Sequence, residues 1–189
     1  MTSPWYAQIP IATARLTLRD LDPADAPRIV RYVGDIKVAR MLAAVPLPYG
    51  PADALDFITG MREANAGGQG LGLAISETRD PDALIGVISF TGTVAAAEIG
   101  WWLGRPYWGR GFATEAAGAL VRAAFREPRL QRLTAGAFFD NPASLHVQDK
   151  VGFARTGESQ RHNLARDGLV RHIDTEITRA MFLAMPPGR

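Results

Sequence analysis

Between Glu98 and Glu115 the chain reads Glu-Ile-Gly-Trp-Trp-Leu-Gly-Arg-Pro-Tyr-Trp-Gly-Arg-Gly-Phe-Ala-Thr-Glu. A strand is predicted over Ala96–Leu103 and an alanine-rich helix over Phe112–Arg126, joined by a turn that carries Gly109 and Gly111. Glycines at such a junction let a ligand approach the main chain closely. The first amides of the helix have no partner within it, and the helix dipole adds positive potential there. No Ser, Thr, Asp or Asn immediately precedes the helix to cap it. The turn is therefore shaped for an anion, and phosphate fits it.

Around this junction, strands and helices alternate. Strands are predicted over 16–21, 71–77, 84–91, 132–139, 153–159 and 171–180. Helices are predicted from Asp22-Pro23 to Val33, over 36–42, over 52–64 and over 142–150. The pattern specifies an α/β (α+β) domain with a mixed sheet. Residues 1–12 are expected to be a lead-in, residues 13–182 one domain, and 183–189 a tail.

At 189 residues one domain is the default, and an apolar content of 47% is ordinary for a globular core. The absence of cysteine excludes disulfides, thiolate metal ligands and a cysteine nucleophile. His146, His162 and His172 are scattered without metal-ligand spacing, so no metal is expected. No eighteen-residue apolar run and no basic-then-apolar leader occur, so a cytoplasmic protein without a membrane span is expected. The net charge is only +2 and the arginines form no stripe, which argues against nucleic acid as a partner.

Three phosphate loops compete for Gly109-Arg110-Gly111. A Walker loop needs Gly-Lys-Ser/Thr, and the helix here begins Gly111-Phe112-Ala113-Thr114. A dinucleotide fingerprint needs a third glycine where Thr114 stands. The third option is a pyrophosphate loop for coenzyme A. Gly109-Arg110-Gly111 resembles the acetyl-CoA loop, Gln/Arg-x-x-Gly-x-Gly/Ala, of the GNAT N-acetyltransferases. Downstream, Asn141-Pro-Ala-Ser144-Leu-His-Val147-Gln-Asp-Lys150-Val-Gly152-Phe153 is similar to that family's Asn-x-x-Ser-x-x-Val-x-x-Lys-x-Gly-Phe segment. Arg15-Leu-Thr-Leu-Arg19 resembles its opening strand. The branch most resembled is the RimJ/RimL-like ribosomal-protein N-terminal acetyltransferases. One departure is Pro106, which stands where the loop motif has Gln or Arg.

The resemblance implies a mostly antiparallel sheet of six to seven strands, split between its fourth and fifth strands and flanked by helices. It implies direct acetyl transfer from acetyl-CoA to an amine, without a metal. It places the acetyl carbonyl and the pantetheine arm on the amides of Trp102, Leu103 and Gly104. The pyrophosphate falls on the turn and first helical residues, Trp108, Gly109, Arg110, Gly111, Phe112, Ala113 and Thr114. Asn141 is implied to hydrogen-bond the pantetheine as well as to cap its helix. Ser144 is implied to hydrogen-bond the leaving sulfur, the alternative being a helix-capping role. Gln148 stands where many relatives carry a proton-donating tyrosine.

Glu98 is the candidate base. Alternation sets it on one face with Gly100 and Trp102, and apolar neighbours would suit it to take a proton. The alternative is a solvated edge glutamate. Glu115 is the rival carboxylate, expected to point away from the loop because a phosphate would repel it. The base need not be strong. An α-amine with a pKa of about 7.7–8.0 is on the order of a tenth neutral at pH 7, whereas lysine at about 10.4 is almost wholly charged. The expected acceptor is thus a protein or peptide N-terminal α-amine. A small amine (amino acid, polyamine or antibiotic) is the alternative within enzymes, and a non-catalytic acyl-CoA-binding regulatory module the alternative outside them. A protein acceptor predicts an open groove between the Pro46–Pro51 and Arg161–Gly168 loops. Such domains often form homodimers.

Overall fold

The computed structural model describes residues 8–68, 70–93 and 95–186. Eight strands form one sheet: β1 (Ile11–Ala12), β2 (Leu16–Asp20), β3 (Gly70–Glu77), β4 (Asp80–Gly92), β5 (Ala96–Leu103), β6 (Arg132–Phe138), β7 (Ala154–Asn163) and β8 (Gly168–Thr178). Their order is β1-β2-β3-β4-β5-β6-β8-β7. Six helices flank it: α1 (Ala26–Val33), α2 (Ile36–Ala39), α3 (Pro51–Gly67), α4 (Phe112–Ala124), α5 (Pro142–Val151) and α6 (Arg179–Leu183). The sheet thus holds one strand more than expected, because Ile11 and Ala12 of the expected lead-in pair with Leu18 and Thr17. Residues 1–7 of that lead-in and 187–189 of the expected tail lie outside the described residues.

Neighbouring strands of the sheet run antiparallel except for β5 and β6. That exception follows from connectivity, since α4 carries the chain across from one strand to the next and a crossover returns the strand in parallel. The β5–β6 pairing covers Ala96↔Arg132, Ala97↔Leu133 and Glu98↔Thr134, and ends there. Beyond Glu98 the strands part, with β5 continuing along β4 and β6 along β8. This is the split expected between the walls Glu98–Leu103 and Leu133–Phe138.

Two apolar layers cover the sheet. One packs α4 against the sheet through Ala116, Leu120, Ala124, Leu18, Leu73 and Phe90. The other packs α1 and α3 through Ile29, Val33, Ile58, Ala74, Leu84 and Val87. Leu73 and Ala74 fall in different layers, as strand alternation requires. Polar groups tie the helices down. Arg19 Nη1 and Nη2 donate to both oxygens of buried Asp25 at 2.9 and 2.8 Å, while Asp25 also accepts from the Asp22 amide at 2.9 Å. Asn65, 2% exposed, fastens the end of α3 to β3. Its Oδ1 accepts from the Gly72 N–H at 2.7 Å, and its Nδ2 donates to the Gly72 carbonyl at 3.0 Å.

Asn65→Ala leaves both backbone groups of Gly72 without that partner inside the core. A buried group so orphaned costs about 1–3 kcal/mol. Chemical denaturation should therefore show Asn65→Ala destabilised by about 2–3 kcal/mol, with an unchanged m-value.

Candidate active site

α4 begins at Gly111, whose φ is 79°, and Gly109 has φ 72°. Both lie in the left-handed region that glycine enters without steric cost. No side chain caps the helix. A Cβ built on Gly109 would meet nothing within 4 Å, so open space fronts the turn. The unbonded amides of the first helical turn therefore face a ligand-sized opening rather than protein.

The turn is held from behind. Two guanidinium groups pack on the buried Phe112 ring, Arg15 at 4.7 Å and Arg110 at 4.5 Å from its centroid. Arg15 Nη1 donates to the Arg110 carbonyl at 3.0 Å. Glu115 points away from the turn, as expected, and accepts from Thr13 Oγ1 at 2.6 Å, Arg15 N at 2.8 Å and Arg15 Nε at 2.7 Å. Burial by itself pushes the Glu115 carboxyl up. The hydrogen bonds from Thr13 and Arg15 and the Arg15 charge outweigh burial and hold it below the usual carboxylate range.

A cavity of about 610 Å³ runs from this turn into the split between β5 and β6. The α4 end contributes Gly109, Gly111, Phe112, Ala113 and Thr114, and α5 contributes Asn141 and Ser144. Trp102, Leu103, Trp108 and Glu98 line it too. The structure thus brings most of the expected site residues to one space. Two lie outside its lining. The Arg110 guanidinium stacks on Phe112 and sits 3.7 Å from Glu77. Gly104 packs on the Tyr32 ring, where a Cβ would come within 2.7 Å.

The amide assignment on β5 shifts by one residue. Gly104 N–H donates to the Ile85 carbonyl at 2.9 Å, so its amide is used by β4. The β4–β5 register pairs Trp102 with Val87, two steps earlier, which turns the Trp102 amide to β4 as well. Alternation then directs the backbone groups of Trp101 and Leu103 into the split. The Leu103 carbonyl accepts from Trp108 Nε1 at 2.8 Å, which leaves its amide for a ligand.

On α5, Asn141 Oδ1 accepts from the Ser144 amide at 3.2 Å, the expected cap. Gln148 is 1% exposed and gives Ser144 a partner. Thr175 Oγ1 donates to Gln148 Oε1 at 2.7 Å, and Gln148 Nε2 donates to Ser144 Oγ at 3.3 Å. With Ser144 Oγ accepting there, its own proton is available to the cavity. Gly152, with φ 104°, ends the helix and Phe153 is buried.

Glu98 borders the cavity with Gly100 and Trp102, but its neighbour is a cation. Arg161 Nη1 donates to Glu98 Oε1 at 2.6 Å. The apolar surroundings expected for it are thus replaced by an ion pair. Arg161 Nη2 is also 3.8 Å from Asp174 Oδ1, which accepts from Ser159 Oγ at 3.1 Å and lies 2.8 Å from His172 Nδ1. No sequence motif marks Arg161, Asp174 or Ser159, and His172 looks from sequence like one of three scattered histidines. The signal that could have found them is period two: Ser159/Arg161 on β7 and His172/Asp174 on β8 each project to one face. On the acceptor side the cavity takes Val38, Met41, Leu42 and Ala43 rather than the expected Pro46–Pro51 loop. The turn after β7 is fastened to that segment, with Leu164 N donating to the Ala43 carbonyl at 3.0 Å and Asn163 Nδ2 to the Arg40 and Leu42 carbonyls at 3.1 Å.

The sequence pattern of the acetyltransferase (GNAT) domain matches residues 15–154. The chain belongs to the GNAT acetyltransferase family. It is similar to the uncharacterized N-acetyltransferase YnaD of Bacillus subtilis, 32% identical over 78% of this chain and 84% of that one. The uncharacterized N-acetyltransferase p20 of Bacillus licheniformis is 29% identical over 84% of this chain and 89% of its own. Among solved structures, the ribosomal L7/L12 alpha-N-protein acetyltransferase RimL, in complex with coenzyme A, superposes with a TM-score of 0.78 at 20% identity, covering 90% and 97% of the two chains. The protein is thus a GNAT acyl-CoA-dependent acetyltransferase with acetyl-CoA as co-substrate. The uncapped α4 terminus and the backbone groups facing the split fit that ligand. Among the described residues no helix is long and apolar enough to cross a membrane.

Glu115→Gln should loosen the turn, reduce acetyl-CoA affinity in calorimetry, and cost about 1 kcal/mol of stability at pH 7, a figure discounted because Arg15 is half exposed. The folded-state pKa of Glu115 is depressed, so its stabilisation is fully present above the unfolded value of about 4.3. It is lost as pH falls through the lower folded value. Thermal melts of wild type and Glu115→Gln should therefore converge on acidification below about pH 4.

Proposed function

We propose that this enzyme moves the acetyl group of acetyl-CoA to the α-amine at the N-terminus of a protein or peptide. One observation carries the reading. A single cavity joins an uncapped helix terminus on one face of the sheet to carboxylates on the other, through the gap between β5 and β6. Acetyl-CoA supplies a thioester, an acetyl donor whose leaving group is a thiolate. The α4 amides hold its pyrophosphate. The backbone of Trp101 and Leu103 aligns the chain that follows, and Ser144 Oγ–H donates a hydrogen bond to the sulfur. Glu98 lines the acceptor end of the cavity, where its negative charge favours an incoming ammonium.

Support for an α-amine comes from chemistry and from likeness. An α-amine is partly neutral near pH 7 and needs little help to lose its proton, unlike lysine. RimL, whose fold this chain shares, is an alpha-N-protein acetyltransferase of ribosomal L7/L12. No covalent acyl-enzyme is required: the chain has no cysteine, and Ser144 Oγ accepts from Gln148 Nε2, with no base among the described residues placed to activate it.

The test is thiol release from acetyl-CoA with short peptides of varied first residue, beside free amino acids, polyamines and peptides blocked at the N-terminus. Release with free-N-terminal peptides alone is the expected result. Release with small amines alone overturns the acceptor assignment. Binding of acetyl-CoA without release in any mixture replaces it with a regulatory module. Ser144→Ala should lower kcat about tenfold, the worth of one hydrogen bond near 1.4 kcal/mol, with acetyl-CoA affinity unchanged.

A further inference from the structure

Acetyl transfer leaves the acceptor nitrogen with a proton to lose. Three side chains on the acceptor side of the cavity are able to take it, Glu98, Asp140 and His172, and Asp140 is held by both Arg40 and Arg166. Glu98 is half exposed and its Oε1 is occupied by Arg161 at 2.6 Å. A proton can reach that oxygen only if the guanidinium leaves it. His172 has the opposite setting. It is 6% exposed on β8 and borders the cavity beside Gly136 and Phe138. Its Cε1 lies where a Cβ on Gly136 would stand, only 2.1 Å from that position, so the glycine makes room for the ring. Phe138 holds the other side, edge to face, at 5.6 Å between centroids.

The ring's orientation is set by Asp174. Nδ1 lies 2.8 Å from Asp174 Oδ1, so in the neutral ring Nδ1 carries the proton and donates it to the carboxylate. The lone pair then resides on Nε2. Asp174 is itself held by Ser159 Oγ at 3.1 Å. The charges facing the imidazole are Asp174 on β8, Arg161 on β7 and Glu98 on β5. Beyond Phe138 lies Asp140, paired to Arg40 and Arg166 at 2.6 and 3.0 Å. Burial pushes the His172 pKa down, Asp174 opposes it, and Arg161 adds to the lowering. The net position is below the usual histidine value, so the ring is neutral at pH 7 and ready to accept a proton.

We propose that His172 Nε2, oriented by Asp174, takes the proton from the acceptor nitrogen, while the Glu98–Arg161 pair binds the acceptor's charged and polar groups beside it. The proposal rests on the amine-acetylation reading above. As the nitrogen bonds to the acetyl carbon, the carbon–sulfur bond breaks and its electron pair leaves with sulfur. The surplus proton on nitrogen passes to His172 Nε2. The sulfur, hydrogen-bonded by Ser144, gains a proton from water to become the thiol. His172 returns its own proton to water before the next turnover.

The experiment is the pH dependence of kcat from about pH 6 to 9.5 for wild type, His172→Asn and Glu98→Gln, with a peptide acceptor that wild type acetylates. Calorimetry with acetyl-CoA and thermal melts accompany it. His172→Asn should lose about a hundredfold in kcat near pH 7, the usual scale for a general base. It should keep wild-type affinity for acetyl-CoA and recover most of the loss at high pH, where hydroxide takes over. Imidazole added to His172→Ala should restore part of the rate. Glu98→Gln should raise KM more than it lowers kcat. A His172→Asn enzyme with wild-type kcat and pH profile overturns the proposal. So does recovery at high pH confined to Glu98→Gln, which makes Glu98 the base. If His172→Asn melts early, Asp174→Asn serves instead: the histidine stays, kcat drops, and the acid limb moves to lower pH because a charge that raises the His172 pKa is gone. An Asp174→Asn limb that does not move also overturns the assignment. Wild type that releases no thiol with any amine fails at the earlier step, in the functional reading itself.

Discussion

The site depends on where the β5–β6 ladder stops. The pairing ends at Glu98↔Thr134, after which each strand keeps only its antiparallel neighbour on the far side. Backbone groups that would have bonded across the sheet are left pointing into a gap. Buried main-chain polar groups seek partners, so the gap is a prepared slot for an extended, amide-bearing chain. The pantetheine arm of coenzyme A is such a chain. A continuous ladder here would close the sheet and separate its two faces. The opening is what lets donor and acceptor, arriving from opposite sides, meet in one cavity.

The slot would serve little without a fixed turn at its mouth, and the N-terminal segment supplies the fixing. Thr13 and Arg15, at the junction of β1 and β2, reach across to Glu115 and to the Arg110 carbonyl, about a hundred residues away in sequence. Arg15 and Arg110 keep their guanidinium groups on the Phe112 ring and on carboxylates, and Arg15 also braces the turn through the Arg110 carbonyl. In the reading proposed above, phosphate recognition falls on the backbone amides of the uncapped α4 terminus. This also explains how the chain accommodates Pro106 where relatives carry Gln or Arg: recognition through amides does not call for that side chain.

The junction at Gly109 and Gly111 was legible because it is local. Chain direction, two glycines and a missing cap lie within a few residues of each other. The caps at Asn141 and Gly152 were legible for the same reason. The order of strands and helices followed from patterning, and the split came from family resemblance. What patterning could not give was lateral pairing. The register of β4 against β5 decides that Trp101 and Leu103, not Trp102 and Gly104, face the gap, and register is a property of two strands. The Arg161–Glu98 pair joins residues 63 positions apart. Nothing near Glu98 in sequence announces a cation. β1 is two residues long and exists only because β2 offers an edge, so it reads from sequence as a lead-in.

β8 links the two halves of the chemistry. Its even residues, His172 and Asp174, project to the acceptor face, where Arg161 and Glu98 lie. Its odd residue Thr175 projects to the opposite face and fixes Gln148, which fixes Ser144. In the proposed direct transfer one proton is removed from nitrogen and one is offered to sulfur, on two sides of the same acyl carbon. A single strand of period two supplies a support for each, at a spacing the pleat sets rather than any flexible loop. The arrangement needs no large motion to align donor and acceptor sides. In the proposed mechanism it also separates the two supports: a change at Thr175 acts on Ser144 through Gln148 and a change at Asp174 on His172, though the two residues are neighbours in the chain.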